Sequence, residues 1–355
     1  MKIGILGNGQ LGQMLEDSVQ DQQDLNIELY DLRNHSDEAL KTLLENNDRV
    51  SFETENIPAH IVEKMEAFES KIFPSLKALK IFQNRLLEKQ SLRDAGILTA
   101  DFKAVNSLQD VKDAVAELGL PIVLKTTTEG YDGKGQFVLK TPEDSEPAWE
   151  AIGNRELIAE AFVNFQRETS VIGSRDEQGN INIWPMTENI HHEGILRYSL
   201  YPIQGLSAEK IEIAENYIRQ LAESLDYVGT ITLELFETET GFIANEVAPR
   251  VHNSGHWSIE GAATSQFRNH MLAISGQAVT DTSAQYNSVA MINMISDETP
   301  GDAGKTMNNT FVHSYGKEAR PNRKLGHVTV VADSDEARNE MIGKLSGLIP
   351  EAVKL

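Results

Sequence analysis

The chain has 355 residues, 40% hydrophobic and 24% charged, enough for two or three domains with proper cores. Its 54 acidic residues against 32 Lys and Arg leave a net charge of −22, a surface that repels nucleic acid and anionic membrane and argues against either as a partner. The absence of cysteine removes thiol catalysis, disulfides and cysteine-ligated metals, and the apolar runs fall short of the roughly 18 residues that span a bilayer, so a cytoplasmic setting is expected.

The first ninety residues alternate strand and helix patterns. "KIGIL" reads as a strand and "QLGQMLEDSVQ" as a helix, followed by strands in "IELYD", "DRVSFE" and "KIFPS". Short apolar strands between helices point to a parallel sheet covered on both faces. The turn "GNGQLG", Gly7 to Gly12, fits the dinucleotide pattern G-x-G-x-x-G, with Asp31 ending the next strand. That is one reading; a turn presenting its amides to a different anion or ribonucleotide is the other.

A helical pattern runs from Lys77 to Leu92, and then the signals turn antiparallel. "PIVLKTTT" and "GQFVLK" flank a glycine-rich loop, and "TITLELFETETGFIANEV" reads as a second hairpin. The last seventy residues read as a small mixed domain ending in a strand, "HVTVVAD", and a helix, "SDEARNEMIGKL". Boundaries are expected near 90 and 280. This gives an N-terminal domain over 1–90, a central one over 91–280 with a lid at about 100–160, and a C-terminal one over 281–355.

Three stretches carry chemistry. In "KTTTEGYDGKGQ" the glycines offer backbone amides to phosphates, with Lys125 and Lys134 supplying charge; a hairpin with two solvated lysines is the plain alternative. In the second hairpin Glu234 interrupts an apolar strand and Glu246 falls opposite if the turn centres on Thr240. Facing carboxylates destabilise a sheet, and a Mg²⁺ that also holds nucleotide phosphates reverses the sign; Asn245 adds an oxygen. The alternative is a Glu that points to solvent or pairs with Arg250. Next, "APRVHNSGHW" gathers Arg250, His252, Asn253 and His256, which suits an anion better than zinc because Asn-Ser-Gly disfavours the helix that would align the histidines. Last, "HSYGKEARPNRKLGH" holds Lys317, Arg320, Arg323 and Lys324 against one Glu, a placement that suits phosphate capture, with a solvated basic loop as the alternative.

Together "GNGQLGQML", "FETENIP", "FPSLKALKIFQNRLLEK", "GYDGKGQ", "IAEAFVNFQRETSVI", "NEVAPRVHNSGHW", "TSQF" and "YGKEARPNRKLGHV" resemble the ATP-grasp superfamily, and within it the N5-carboxyaminoimidazole ribonucleotide synthetases, over nearly the whole chain. The resemblance implies an α/β ATP-grasp fold with an N-terminal Rossmann-like domain of the biotin-carboxylase type and a small mixed C-terminal domain. It implies ATP, bicarbonate and 5-aminoimidazole ribonucleotide as substrates, Mg²⁺ as cofactor, carboxyphosphate as intermediate and a homodimer. By the same resemblance Lys80 and Lys125 contact the phosphates, and Gly130, Tyr131, Asp132, Gly133, Lys134, Gly135 and Gln136 close over them. Glu160, Ala161, Phe162 and Val163 read the adenine, Glu168 holds the ribose, and His191 lies beside the nucleotide. Glu234, Asn245 and Glu246 complete the metal site. Arg250 and Asn253 are expected to hold bicarbonate, and Asp132 to take the amine proton. Lys317 is expected to position substrate, and Gln10, Leu11, Tyr131, Arg323 and Lys324 to line the ribonucleotide site. Gln13, where many relatives carry Arg, departs from the pattern, as does Thr54. A dehydrogenase, another ATP-grasp ligase acting on a different amine, and a non-catalytic nucleotide binder are the rival readings.

Overall fold

The computed structural model describes residues 1–33, 36–128, 135–345 and 348. Strands β1 (Lys2–Leu6), β2 (Asn26–Tyr30) and β3 (Arg49–Phe52) form a parallel sheet in the order β2-β1-β3. Ile3 and Ile5 pack with Leu15, Phe267 and Met271 on one face, while Leu6 and Phe52 pack with Leu43 and Leu44 on the other. Both faces are covered, as the continuous apolar runs require.

Two expected elements differ. "KIFPS" contributes only a single bridge, Val50 to Ile72, because Pro74 has no N–H to give to a ladder. The helical run from Lys77 is broken into Leu76–Phe82 and Arg85–Asp94. The Asn84 side-chain Oδ1 accepts from the amides of Leu86 and Leu87 at 2.9 and 3.3 Å, starting a second helix rather than continuing the first.

Strands β4 (Phe102–Val105), β5 (Ile122–Thr126), β6 (Gln136–Leu139) and β7 (Leu157–Ala161) make an antiparallel sheet in the order β4-β7-β5-β6. Val111, Ala114 and Ala148 from two helices bury its apolar face. A third, eight-stranded antiparallel sheet contains β8 (Arg167–Arg175), β9 (Ile181–His192), β10 (Ile195–Tyr201), β11 (Gly229–Thr238), β12 (Gly241–Ala248), β13 (Ser288–Ile295), β14 (Thr310–Ser314) and β15 (Lys324–Ala332). Its order is β12-β11-β8-β9-β10-β13-β15-β14, so the C-terminal strands extend the same sheet through the β10–β13 pair. Every residue of β13 is buried, because Ile292 and Met294 pack toward Ile342 while Val289 and Met291 pack toward Trp257. Among the described residues no helix is long and apolar enough to cross a membrane.

Candidate active site

The site is organised by the β11–β12 hairpin. Thr238 faces Gly241 and Leu235 faces Ala244, but one residue further along the pairing shifts and Glu234 faces Glu246. Asn245 is the extra residue of this bulge. A regular ladder would have set Asn245 against Glu234 and turned Glu246 to the opposite face; the bulge brings both to the open side. The expected carboxylate pair is therefore present, by a different register than a plain turn provides.

Burial, then the neighbouring Glu246 and Glu168 carboxylates, push Glu234 up to about 7, with His191 and Arg250 pulling the other way. Glu168, Asn189, His191, Glu234 and Asn245 line one narrow cavity. His191 Nδ1 lies 3.2 Å from Glu168 Oε2, and Glu234 Oε1 lies 3.4 Å from His252 Nε2. Among the described residues no three His or acidic groups form a closed metal cage. Two facing carboxylates with an amide oxygen beside them are instead what a Mg²⁺ shared with nucleotide phosphates requires of the protein. The donor set fits the ion.

Two buried charges that the motifs did not single out support this hairpin. Lys89, 1% exposed, donates to the carbonyls of Asn245 at 2.7 Å and Ala244 at 3.3 Å, and lies 3.3 Å from Glu160. Glu88, 2% exposed, accepts from the Val247 amide at 3.2 Å, and burial followed by Glu246 raises it to about 8. Both sit on the inward stripe of Arg85–Asp94 with Leu92. A charged pair on an apolar stripe is the signal that could have revealed them.

The phosphate-side expectations divide. Lys125 is at the site, 3.2 Å from Glu160. Burial would raise the Glu160 carboxyl, but Lys89 and Lys125 together hold it below the usual range. Lys80 is not brought there: its ammonium meets Glu66 at 2.6 Å on a half-exposed face. Arg85 stands beside the Lys125 strand instead, donating to the Thr126 carbonyl at 2.9 Å. The expected lid residues Gly130, Tyr131, Asp132, Gly133 and Lys134 lie outside the described residues. Gly135 and Gln136 are described: the Gly135 carbonyl accepts from Thr126, and Gln136 pairs with Lys125 in β6. β7 is an interior strand, and the amides of Ala161 and Phe162 already donate to Asp101 and Pro121, so Val163 is the first of the expected adenine readers past those spent amides.

At the other end, Arg250 grips Glu55 through two bonds, Nε to Oε2 at 2.5 Å and Nη2 to Oε1 at 3.0 Å. Burial would push the Glu55 carboxyl up, but Arg250 holds it below its ordinary value. Asn253 Oδ1 is buried with no hydrogen-bond partner among the described residues, an acceptor the fold leaves unused. His252 and His256 do not share a ligand: His252 Nδ1 meets Ser254 Oγ at 2.9 Å, and His256 lies between Gln10 and Gln266.

The glycine turn holds no space for a pyrophosphate. Glu53 Oε1 accepts from the Gly9 amide at 2.9 Å and Oε2 from the Gly12 amide at 2.7 Å. Gly7, at φ +131°, passes so close that a Cβ there would stand 2.1 Å from Glu53 Cγ. The fingerprint glycines receive a carboxylate of the chain itself. Leu11 packs into the core beside Phe267, whereas Gln10 turns outward to Lys317, whose Nζ lies 3.3 Å from Gln10 Oε1. Burial, then Arg323, push the Lys317 ammonium down, while Glu53 opposes them. Lys324 opens β15, and its charge reaches His252 and His256. The N-terminal turn and the C-terminal basic loop thus meet through the Gln10–Lys317 contact.

Residues 90–267 match the ATP-grasp domain, and residues 289–341 match the phosphoribosylaminoimidazole carboxylase C-terminal domain. The chain is 38% identical to the N5-carboxyaminoimidazole ribonucleotide synthase of Pseudomonas aeruginosa, over 98% of this chain and 99% of that protein. Its fold superposes on N5-carboxyaminoimidazole ribonucleotide synthetase from Thermus thermophilus with a TM-score of 0.90, at 37% identity, covering 98% of this chain and 99% of the other. It also superposes on N5-carboxyaminoimidazole synthase from Aspergillus clavatus in complex with ADP and 5-aminoimidazole ribonucleotide, with a TM-score of 0.87, 28% identity and 97% of each chain covered. With its bulged carboxylate hairpin, its parallel N-terminal sheet and near-full-length similarity to these proteins, the chain belongs to the N5-carboxyaminoimidazole ribonucleotide synthase family of ATP-grasp proteins.

Proposed function

We propose that this chain catalyses the ATP- and bicarbonate-dependent carboxylation of 5-aminoimidazole ribonucleotide to N5-carboxyaminoimidazole ribonucleotide. The observation that carries the reading is the Glu234–Glu246 pair, whose Glu234 lines a cavity with Asn245, Glu168 and His191. A bicarbonate oxygen attacks the γ-phosphorus of ATP, the bond to ADP breaks, and carboxyphosphate forms. The bond from the carboxyl carbon to the phosphate oxygen breaks, either as the exocyclic amine bonds to that carbon or beforehand with release of CO₂ that the amine then attacks, and the amine proton passes to a base, a role assigned to Asp132. Glu234 and Glu246, with Asn245 beside them, would hold Mg²⁺, which would neutralise charge on the phosphates.

The other roles belong to the chain's own groups. Glu168 fixes the ribose, with His191 orienting its carboxylate. Lys125 and Arg85 sit where phosphate charge accumulates, and the loop from Gly130 to Gln136 excludes water that would destroy carboxyphosphate. Asn253 and Arg250 hold bicarbonate, with Glu55 fixing the guanidinium plane. Gln10, Lys317, Arg323 and Lys324 take the ribonucleotide. The domain limits 1–90, 91–280 and 281–355 and a homodimer belong to the same proposal, and sedimentation reads the latter. A coupled assay of ADP release tests the reaction: turnover must require both bicarbonate and 5-aminoimidazole ribonucleotide. Turnover with another amine and none with this one overturns the reading.

A further inference from the structure

We propose that His256, locked in one tautomer by Gln266, turns the Gln10 side-chain amide so that its NH₂ group and the Lys317 ammonium form a two-donor seat for an oxyanion of the ribonucleotide. The proposal rests on the function proposed above and names positioning residues within that site.

The argument runs outward from the buried end. Gln266 is fully buried, and its amide is held at both ends by one residue's backbone. Oε1 accepts from the His252 amide at 2.9 Å, and Nε2 donates to the His252 carbonyl at 2.6 Å. Turning this amide over would set donor against donor and acceptor against acceptor, so its orientation is fixed. Its second Nε2 hydrogen faces His256 Nδ1 at 3.2 Å, which makes Nδ1 an acceptor. The His256 ring is fully buried, and burial, then the His327 charge, hold its pKa well below the ordinary value; the ring is neutral and carries its one proton on Nε2.

That proton points at Gln10. One end of the Gln10 amide lies 3.1 Å from His256 Nε2 and the other 3.3 Å from Lys317 Nζ. With Nε2 at the histidine and 3.8 Å from the weak acceptor Met14 Sδ, and Oε1 at the lysine, the lysine is satisfied but the histidine faces a second donor. Turned over, the amide accepts from His256 through Oε1 and presents NH₂ beside the ammonium. Two donors then stand side by side, and the acceptor between them has to come from outside. The nearby Glu53 carboxylate is turned to the Gly9 and Gly12 amides, and among the described residues it makes no hydrogen bond to Gln10 or Lys317. An oxyanion bridging Gln10 Nε2 and Lys317 Nζ satisfies every group in the chain Gln266–His256–Gln10 at once, which neither orientation achieves alone.

Nitrogen-15 NMR of the wild-type protein, with and without 5-aminoimidazole ribonucleotide, reads the tautomer directly. The proton is expected on His256 Nε2 in both states; a proton on Nδ1 overturns the proposal whatever the enzyme acts on. Kinetics test the consequence. His256→Phe is expected to raise KM for the ribonucleotide about tenfold, the usual effect of misplacing a donor to a charged acceptor, with KM for ATP changing less than about twofold. His256→Gln, which restores a donor near the Nε2 position, recovers most of the loss. In a Gln10→Ala background His256→Phe adds nothing further. An undiminished second loss in that background, or equal increases in both KM values, refutes the coupling. A wild-type protein with no ribonucleotide-dependent turnover overturns the function instead, and leaves the tautomer result to stand on its own.

Discussion

Replacing Glu234 by Gln removes one of two facing carboxylates, and the structure sets the size and sign of the effect. In the protein without nucleotide, burial and the Glu246 charge lift the Glu234 carboxyl from 4.5 to about 7. That difference corresponds to about 3 kcal/mol between its two protonation states, and about 2–3 kcal/mol once the 21% of the side chain open to water is allowed for. Because the folded value lies above the unfolded one, the stabilisation is complete below about pH 4.5 and is lost as pH rises through about 7. Glu234→Gln has no charge to lose. At pH 8 the nucleotide-free variant is therefore expected to be more stable than the parent by about 2 kcal/mol, with little difference at pH 4.5. Urea unfolding at the two pH values measures this, and calorimetry with ADP and Mg²⁺ is expected to show that the metal-dependent gain in affinity has gone. A variant that is less stable than the parent at pH 8, or that still binds ADP more tightly with Mg²⁺, refutes the account of the hairpin as a like-charge pair kept for a cation.

Lys89→Met removes the ammonium joining the bulge carbonyls to Glu160. Glu160 keeps Lys125, so the expected loss is about 2–3 kcal/mol, with a higher Mg²⁺ requirement; an unchanged unfolding midpoint and Mg²⁺ dependence count against the clamp. Glu53→Gln sets an NH₂ group against one of the two glycine amides. It is expected to cost about 2 kcal/mol and to raise KM for the ribonucleotide more than KM for ATP, measured by unfolding and initial rates. His270 is buried, with its ring nitrogens at the Thr230 amide and Ser51 Oγ, and burial lowers it to about 3. Its contribution is present above about pH 6.5 and is lost as pH falls toward 3, so His270→Gln should flatten the acid side of the stability profile; an unchanged acid limb refutes the assignment.

Local pattern was legible wherever one residue's chemistry conflicted with its place. A glutamate inside the apolar run "TITLELF" was enough to expect the Glu234–Glu246 pair. The alternating first ninety residues announced the parallel sheet, and the glycine loop its flanking strands. What escaped depended on long-range contact. Asn245 as a bulge, Lys89 beneath it, and the Glu55 grip on Arg250 join residues separated by up to 195 positions, and no spacing rule links them. Lys80 and Arg85 show the same limit on a smaller scale. The Asn84 cap breaks the helix between them and sends Lys80 to Glu66 at the surface and Arg85 to the Lys125 strand.

The glycine turn shows how a fingerprint can hold as geometry and fail as a label. G-x-G-x-x-G specifies a backbone that approaches something closely and a helix whose first amides lack partners. It does not specify what arrives. Here Glu53, 44 residues from Gly9 and at the end of β3, delivers a carboxylate to the amides of Gly9 and Gly12. A pyrophosphate would have to displace it, adding two or more negative charges to the seat of one that is covalently tethered and already paired. With those amides satisfied internally, the turn reaches the C-terminal basic loop through the Gln10 side chain, whose partners include Lys317 and His256 rather than Asp31. In the proposal above, the turn acts on substrate through this one oriented side chain. The acid that would have marked a dinucleotide site, Asp31, instead accepts from the Arg33 amide in its own turn.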